Sequence, residues 1–264
     1  MSATRWLTVA ALVAGAWAAE AQSAVAQGTA SSAALEARAL EHATRLEQAG
    51  RVEEAMRALE HLLEEQPVSV SALVLLAQMA ERSGNPGRVL PAAEAAVLLD
   101  ESGLAAVKQV WIRALQAAGL RDSALAAARR WTQEAPTEAS PYAELSGLWA
   151  RSGDSEAAIR TLEAGRTAIG SEYVFAQELA ALQADRGAYL AAAREWRLML
   201  AWGDAGIEAV ERRISDSGTR RSEALSALRA EVSGSEATFL ERKGALRLAL
   251  LLGEPAWALS LIHI

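Results

Sequence analysis

The side chains that most often carry chemistry in proteins are scarce in this sequence. It holds three histidines, His42, His61 and His263, and no cysteine. His42 and His61 fall on the two helices of one predicted helix pair and could approach each other, but a metal site there would also need well-placed carboxylates. We therefore expect packing or surface roles for the histidines, and we predict no metal, no cofactor and no thiol chemistry.

The short motifs of common enzymes are missing as well. The sequence has no zinc-protease helix motif, no G-x-S-x-G nucleophile turn, no phosphate-binding loop and no dinucleotide-binding fingerprint. Acidic pairs such as Glu53–Glu54 and Glu64–Glu65 are typical of solvated helix faces rather than of paired-carboxylate catalysis. The SGDS stretch at Ser152–Ser155 is typical of a helix cap. We predict no catalytic residues and a protein that is not an enzyme.

The overall charge argues against nucleic acid as a partner. The formal net charge is −7 and the pI is near 5.2, whereas proteins that bind nucleic acid carry a basic surface. A basic cluster does occur at residues 211–221, but residues 205–243 hold equal numbers of acidic and basic side chains. A solvated face is therefore favoured there over an anion site.

Residues 1–26 have the pattern of a removable export signal. A single basic residue precedes an apolar stretch, residues 6–19, which is short for a membrane span and typical of a signal core. Small-x-small sites predict cleavage after Ala21 or Ala26, followed by a flexible linker at residues 27–34. We expect the chain to be exported, to a bacterial periplasm, with no membrane span after cleavage. A retained N-terminal anchor is the alternative.

Glycines recur along the chain with a period of about 34 residues, and a small or β-branched apolar residue follows each one five positions later. The glycines are Gly50, Gly84, Gly119, Gly153 and Gly187, and the following residues are Ala55, Val89, Ala124, Ala158 and Ala192. A glycine can end a helix in a left-handed cap, and a small residue lets the returning helix approach. Helix pairs of this length bury their apolar faces by stacking on neighbouring pairs.

The pattern resembles the tetratricopeptide repeat, a helix–turn–helix unit of 34 residues. In the fourth unit the characteristic apolar, aromatic and small positions are filled by Tyr142, Leu145, Ser146, Trp149, Ala158 and Leu162. Glu101 and Gly170 stand where a proline is expected at the end of a unit, which leaves the geometry of those two turns open. The resemblance covers residues 36–203. It implies an all-α, right-handed α-solenoid of stacked antiparallel helix pairs.

After five repeats in residues 35–203, the pattern continues less regularly. Residues 204–237 form a degenerate repeat, in which Ile207, Val210 and Ile214 share one helix face. Residues 238–264 form a partial seventh repeat around Gly253. A solenoid normally ends in a helix with a polar outer face, but this sequence ends in LSLIHI. We therefore expect a C-terminally truncated chain whose last residues could be foreign.

Six tryptophans lie outside the predicted signal. Trp111 and Trp149 fall on first helices, and Trp131 and Trp196 fall on return helices. These are mainly positions between helices, so core packing is favoured over ligand stacking. Trp202, beside the end of a repeat, is expected to be the most exposed.

The resemblance also implies where a partner would bind, because first helices line a concave groove in this family. The matching positions hold amides and arginines, and the predicted partner-binding residues are Gln78, Arg82, Gln109, Arg113, Gln116, Arg151 and Gln177. Glu81 and Asp185 accompany them, with small residues between them at Ala106, Ala143, Gly147 and Ala181. Leu40 and Thr44 replace two positions of a lysine-and-asparagine clamp found in some members. The groove suits an extended peptide or a partner helix; the alternative is that these residues are merely exposed.

Together these patterns predict a non-catalytic scaffold in the bacterial cell envelope that binds a protein or peptide partner in its groove. The alternative is the periplasmic arm of a larger outer-membrane or polysaccharide-export protein. An enzyme is a third reading that no set of residues supports. The sequence does not identify the partner, the pathway or the oligomeric state.

Overall fold

The computed structural model of the protein describes residues 32–100 and 102–262. Within these two ranges the regular structure consists of fourteen α-helices and three short 3-10 segments, with no strand. The chain divides into two compact units, Met1–Arg121 and Asp122–Ile264. None of the described helices is long and apolar enough to span a lipid bilayer.

The first unit contains five helices. They are α1 (32–48), α2 (Val52–Glu65), α3 (Val70–Arg82), α4 (Leu90–Leu99) and α5 (Ala105–Ala117), with a 3-10 turn at Pro86–Val89 before α4. Helix α2 packs on α3, α4 packs on α5, and the first helices α3 and α5 also contact each other. One apolar core runs through the unit from Ala43 to Ala114.

The second unit contains nine helices. They are α6 (Arg121–Glu134), α7 (Ala139–Arg151), α8 (Ser155–Ile169), α9 (Ala176–Asp185), α10 (Tyr189–Met199), α11 (Asp204–Asp216), α12 (Arg221–Ser233), α13 (Phe239–Leu251) and α14 (Pro255–Ile262), with 3-10 turns at Leu200–Trp202 and Gly218–Arg220. Helices α7 and α8, α9 and α10, α11 and α12, and α13 and α14 pack as pairs. Return helices α10 and α12 contact each other, as do first helices α11 and α13. The predicted all-α architecture of stacked helix pairs is confirmed; its right-handed sense and the number of repeats along the whole chain stay predictions.

The turns inside the helix pairs have the predicted glycine caps. Positive φ angles occur at Gly50, Gly84, Gly119, Gly153, Gly187, Gly218 and Gly253. At Gly153 φ is +84°, and the next residue, Asp154, donates its backbone N–H to the Trp149 carbonyl at 3.0 Å. The Asp154 carboxylate accepts a hydrogen bond from the Ala157 N–H at 2.8 Å, so it caps α8 as predicted.

Small residues and tryptophans occupy the places expected of them. The residues five positions after the glycines are buried, each at most 2% exposed: Ala55, Val89, Ala124, Ala158 and Ala192. Trp131 and Trp196 are buried, Trp111 and Trp149 are half-buried, and Trp202 is 42% exposed. The core interpretation of the tryptophans and the exposure of Trp202 are therefore confirmed.

The turn between α8 and α9 differs from a regular repeat, at one of the two positions where proline is missing. Gly170 ends α8 with φ +76°, and Phe175 precedes α9 with φ +62°. The buried Phe175 ring lies 6.5 Å from the Tyr142 ring. A Cβ at Gly165 would approach Tyr142 Cγ to 2.6 Å, so glycine is required beneath these rings. Helix α9 consequently begins only at Ala176; Glu101, the other departure, lies outside the described residues.

The sixth pair departs from the regular spacing because its entry turn is tight. Helix α10 continues through the 3-10 turn Leu200–Trp202 and then through Gly203, whose φ is positive, directly into α11. Gly206 of α11 and Gly244 of α13 both lie against this turn, and a Cβ on either would overlap a main-chain carbonyl oxygen, of Met199 and Leu200 respectively. Two glycines thus allow two helices to pack directly on one backbone segment.

Candidate functional site

The predicted partner-binding residues are divided between the two units. In the first unit, Gln78 and Arg82 are exposed on α3, while α5 carries exposed Arg113 and half-buried Gln109 and Gln116. Arg82 forms an ion pair with Glu47 at 2.6 Å and donates its Nε–H to the Gln78 carbonyl at 3.2 Å. Arg82 is thus held by its own unit. A single groove through all seven residues stays a prediction.

In the second unit the two predicted residues lie in different surroundings. Arg151 is exposed at the end of α7 and lies along its own helix, so that a Cβ at Gly147 would be 3.2 Å from its guanidinium. Gln177 is exposed in the first turn of α9, where it lines a cleft between α9 and α11. Predicted Ala181 lines the same cleft, whereas Arg151 does not.

The cleft has a volume of about 330 Å³ and a floor of small and buried side chains. Ala180, Ala181 and Ala209 line it together with Trp196 and Met199 of α10, beneath a polar rim of Gln177, Arg212, Arg213 and Asp216. Trp196 is fully buried and packs on Tyr189, with ring centroids 6.2 Å apart. The floor is therefore fixed by the core, and the rim carries the groups that can contact a partner.

The two arginines of the rim differ in their availability. Arg213 donates to Asp185 at 3.0 Å, which joins α11 to α9 across the cleft. Arg212 is exposed, and it forms neither a hydrogen bond nor an ion pair with any residue in the described ranges. A guanidinium with five donors and no internal partner is suited to an incoming carboxylate.

Arg212 is a groove position of the repeat once the register is continued into the degenerate sixth unit. Counting back from Gly218, Arg212 and Asp216 occupy the same groove positions of the sixth unit as Ala181 and Asp185 do in the fifth. The compensated character predicted for residues 211–221 holds for Arg220, which pairs with Glu223 at 2.9 Å. Arg221 donates to the Leu252 carbonyl at 3.1 Å, whereas Arg212 has no partner among the described residues and lies in the cleft.

The same positions of the seventh unit form an exposed stripe along α13. This α13 stripe consists of Leu240, Lys243, Arg247, Leu250 and Leu251, and its three leucines are 58–64% exposed. Arg247 is paired with Asp204 at 2.5 Å, whereas Lys243 forms no ion pair with a residue that the structure describes. Because α11 contacts α13, the first-helix surface of this unit passes from the polar cleft to an apolar, cationic stripe.

Two ion pairs with buried glutamates connect helices of the second unit. Arg166 of α8 binds Glu195 of α10 through two hydrogen bonds of 2.9 and 2.7 Å. Arg197 of α10 donates to Glu241 of α13 at 2.9 Å. Glu241 is fully buried and also accepts the Thr238 N–H at 2.6 Å, closing a capping box at the start of α13. Sequence patterns did not reveal these pairs, because charged residues are normally expected at the surface.

A second cleft, of about 610 Å³, lies between return helices α10 and α12. Its walls are mainly small and apolar, and its one carboxylate, Glu223, is bonded by Arg220, whose hydrogen bond lowers the pKa of Glu223. Arg220 also lies 4.6 Å above the Tyr189 ring and donates to the Gly187 carbonyl at 3.1 Å. The charged groups of this second cleft already bind one another. The α10–α12 cleft therefore has fewer free groups for a partner than the α9–α11 cleft has.

No metal centre emerges from the part of the chain that the structure describes, where no three acidic or histidine side chains lie close enough to hold an ion. His42 and His61 are both exposed.

The chain is similar to several solved structures at low sequence identity. PilF of Pseudomonas aeruginosa is 17% identical over 85% of this chain and 87% of its own, with a TM-score of 0.44. TTC0263, a thermophilic tetratricopeptide repeat protein of Thermus thermophilus, is 20% identical over 72% and 98%, with a TM-score of 0.45. A tetratricopeptide repeat protein of Parabacteroides merdae is 15% identical over 84% and 88%, with a TM-score of 0.49.

No protein-family profile matches the chain, and no curated protein matches it. The helix pairs, their glycine caps and their buried small residues establish the fold on their own.

Proposed function

We propose that this chain of tetratricopeptide-like helix pairs is a non-catalytic scaffold that binds a protein partner along the first-helix surface of its second unit. The observation that carries the proposal is the exposed Arg212, which has no partner among the described residues and lies on the rim of the α9–α11 cleft. The cleft is lined by amide, arginine, carboxylate and small apolar side chains, which are groups that recognise a surface rather than perform a reaction.

The charges and exposure of this surface define the chemistry of the partner. Arg212 and Lys243 offer two cations to acidic side chains, and Leu250 and Leu251 offer more than half of their surface to apolar ones. Small side chains on the floor of the cleft allow a close approach of backbone. An amphipathic helix or extended segment with acidic and leucine-like side chains fits these features.

A designed peptide tests the proposal without knowledge of the natural partner. We expect an amphipathic peptide of leucine, alanine and glutamate to bind the chain, and the paired substitution Arg212→Ala with Lys243→Ala to weaken binding about tenfold. Titration of the labelled peptide, followed by fluorescence anisotropy, measures the affinity.

The matched control is Arg130→Ala with Arg160→Ala, which removes two exposed arginines from return helices of the same unit. This control should bind the peptide as the parent chain does, and all variants should keep their helical circular dichroism. Equal weakening by both pairs of substitutions would contradict a site at the cleft and would indicate a general effect of charge.

We further propose that the scaffold works in the bacterial cell envelope. The support is the export-signal pattern of residues 1–26, which lie outside the described residues. Residues 1–34 fused to alkaline phosphatase should yield active enzyme, since that enzyme requires the oxidising periplasm for its disulfides. A fusion that stays inactive in the cytoplasm would contradict the proposed location in the cell envelope. It would not affect the proposal that the second unit binds a partner.

A further inference from the structure

Exposed aromatic side chains are confined to one kind of turn in the second unit. Tyr173, Trp202 and Phe239 are 40%, 42% and 79% exposed. They are the exposed aromatic residues in the described ranges, and each lies where a return helix ends and the next first helix begins. Aromatic side chains with this much free surface are typical of contact sites.

Each of these turns also carries one exposed carboxylate. The acidic residues are Glu172, Asp204 and Glu236, and no arginine or lysine occurs in residues 170–175, 200–204 or 234–240. Asp204 is paired with Arg247, whereas Glu172 and Glu236 form no ion pair within the described part of the chain. The combination of an aromatic ring and an acid therefore recurs three times.

All three turns are attached to the last part of helix α10. Arg197 donates to the main-chain carbonyl of Glu236 at 3.3 Å and to Glu241 at 2.9 Å. In the first turn the Val174 carbonyl accepts a hydrogen bond from Arg166 at 3.1 Å, and Arg166 also binds Glu195 of α10. The Leu200–Trp202 turn lies against Gly244 of the same helix. The turns thus form one continuous edge.

We infer that this turn edge is a second docking surface, distinct from the cleft, and that it takes a basic segment of a partner protein with apolar side chains between its cations. Arginine and lysine side chains bind both to carboxylates and to aromatic faces, so both groups of the edge act on the same ligand. The unpaired carboxylates would repel an anionic lipid surface, which favours a protein ligand over a membrane.

A short peptide that alternates arginine with leucine is the probe. We expect it to bind the intact chain, and the triple substitution Tyr173→Ser, Trp202→Ser and Phe239→Ser to weaken binding about tenfold with no change in charge. The double substitution Glu172→Gln with Glu236→Gln should weaken it similarly with the rings intact, which keeps the test valid if the triple variant unfolds. Leu98→Ser with Leu99→Ser, at exposed residues of the first unit, is the control that should change nothing.

Three results would overturn the inference. One is binding of an arginine–serine peptide as tightly as the arginine–leucine peptide, which would show attraction to the net negative charge alone. Another is that the chain binds phosphatidylcholine vesicles and not the peptide, and that the triple aromatic substitution abolishes this vesicle binding. The third is loss of arginine–leucine binding on Arg212→Ala, which would place the peptide in the cleft. Failure of the acidic peptide at the cleft leaves this test unaffected, because the two surfaces are probed with opposite charges.

Discussion

Replacing Gly244 by alanine is expected to lower the free energy of unfolding of the second unit by about 3 kcal/mol. The new methyl group would overlap the Leu200 carbonyl oxygen, and its next neighbours are also atoms of Leu200. Because the obstacle is main chain and not the end of a flexible side chain, α13 must move away from the 3-10 turn. Leu248 and Ala249 of α13, both fully buried, would then lose packing contacts.

Urea unfolding followed by circular dichroism measures this loss. Gly147→Ala is the matched control, since Gly147 also lies inside a helix but would meet only the flexible end of Arg151. Alanine there should be neutral or stabilise the chain by up to about 1 kcal/mol, because glycine is a poor helix former. Equal stability of Gly244→Ala and the parent chain would show that α13 does not pack on this turn.

Replacing Arg197 by methionine is expected to destabilise the second unit by about 3 to 5 kcal/mol. The substitution leaves the fully buried Glu241 carboxylate without its cation. Glu241 cannot turn towards water without giving up the Thr238 N–H that it caps at the start of α13. The large cost therefore comes from the isolated charge and not from the lost volume of the arginine side chain.

The double variant Arg197→Met with Glu241→Gln separates these two causes. Glutamine can still accept the Thr238 N–H in a capping box, and it carries no charge, so the double variant should be more stable than Arg197→Met alone. Urea unfolding of the two single variants and the double variant completes a thermodynamic cycle. A double variant whose loss equals the sum of the single losses would contradict an ion pair between α10 and α13.

The repeat architecture was predictable because it depends on local chemistry that recurs. Gly153 needs a left-handed backbone to end α7, Asp154 caps the next helix, and Ala158 admits a close crossing. Each of these requirements acts over a few residues, and repetition at a fixed spacing separates the signal from chance.

The conformations of the two irregular turns, α8–α9 and α10–α11, were less predictable from the sequence. At the α8–α9 turn, the outcome depends on how Phe175 packs against Tyr142 over Gly165, which are residues from three separate segments. The tight α10–α11 turn depends likewise on Gly244, more than forty residues later in the chain. Such arrangements are set by tertiary packing, and no local pattern specifies them.

The candidate site was predicted in part. Gln177 and Ala181 line the cleft as residues of one predicted surface, whereas Arg82 is engaged by Glu47 and Arg151 lies outside the cleft. Arg212 could have been found by extending the repeat register past Gly203. The buried pair of Arg197 and Glu241 could not, because the two residues are 44 positions apart and have no periodic relation.

Site-specific cross-linking tests the central claim, binding along the first-helix surface of the second unit, most directly. A photoreactive residue would be placed at Ser215 of α11 or Leu250 of α13, both exposed on the proposed path, and at Ala168 on the exposed side of return helix α8 as the reference. The leucine–glutamate peptide should cross-link from Ser215 and Leu250 and not from Ala168, and Arg212→Ala with Lys243→Ala should reduce the yield. Cross-linking from Ala168 at an equal yield, or none from Ser215 and Leu250 while the peptide still binds, would contradict the account.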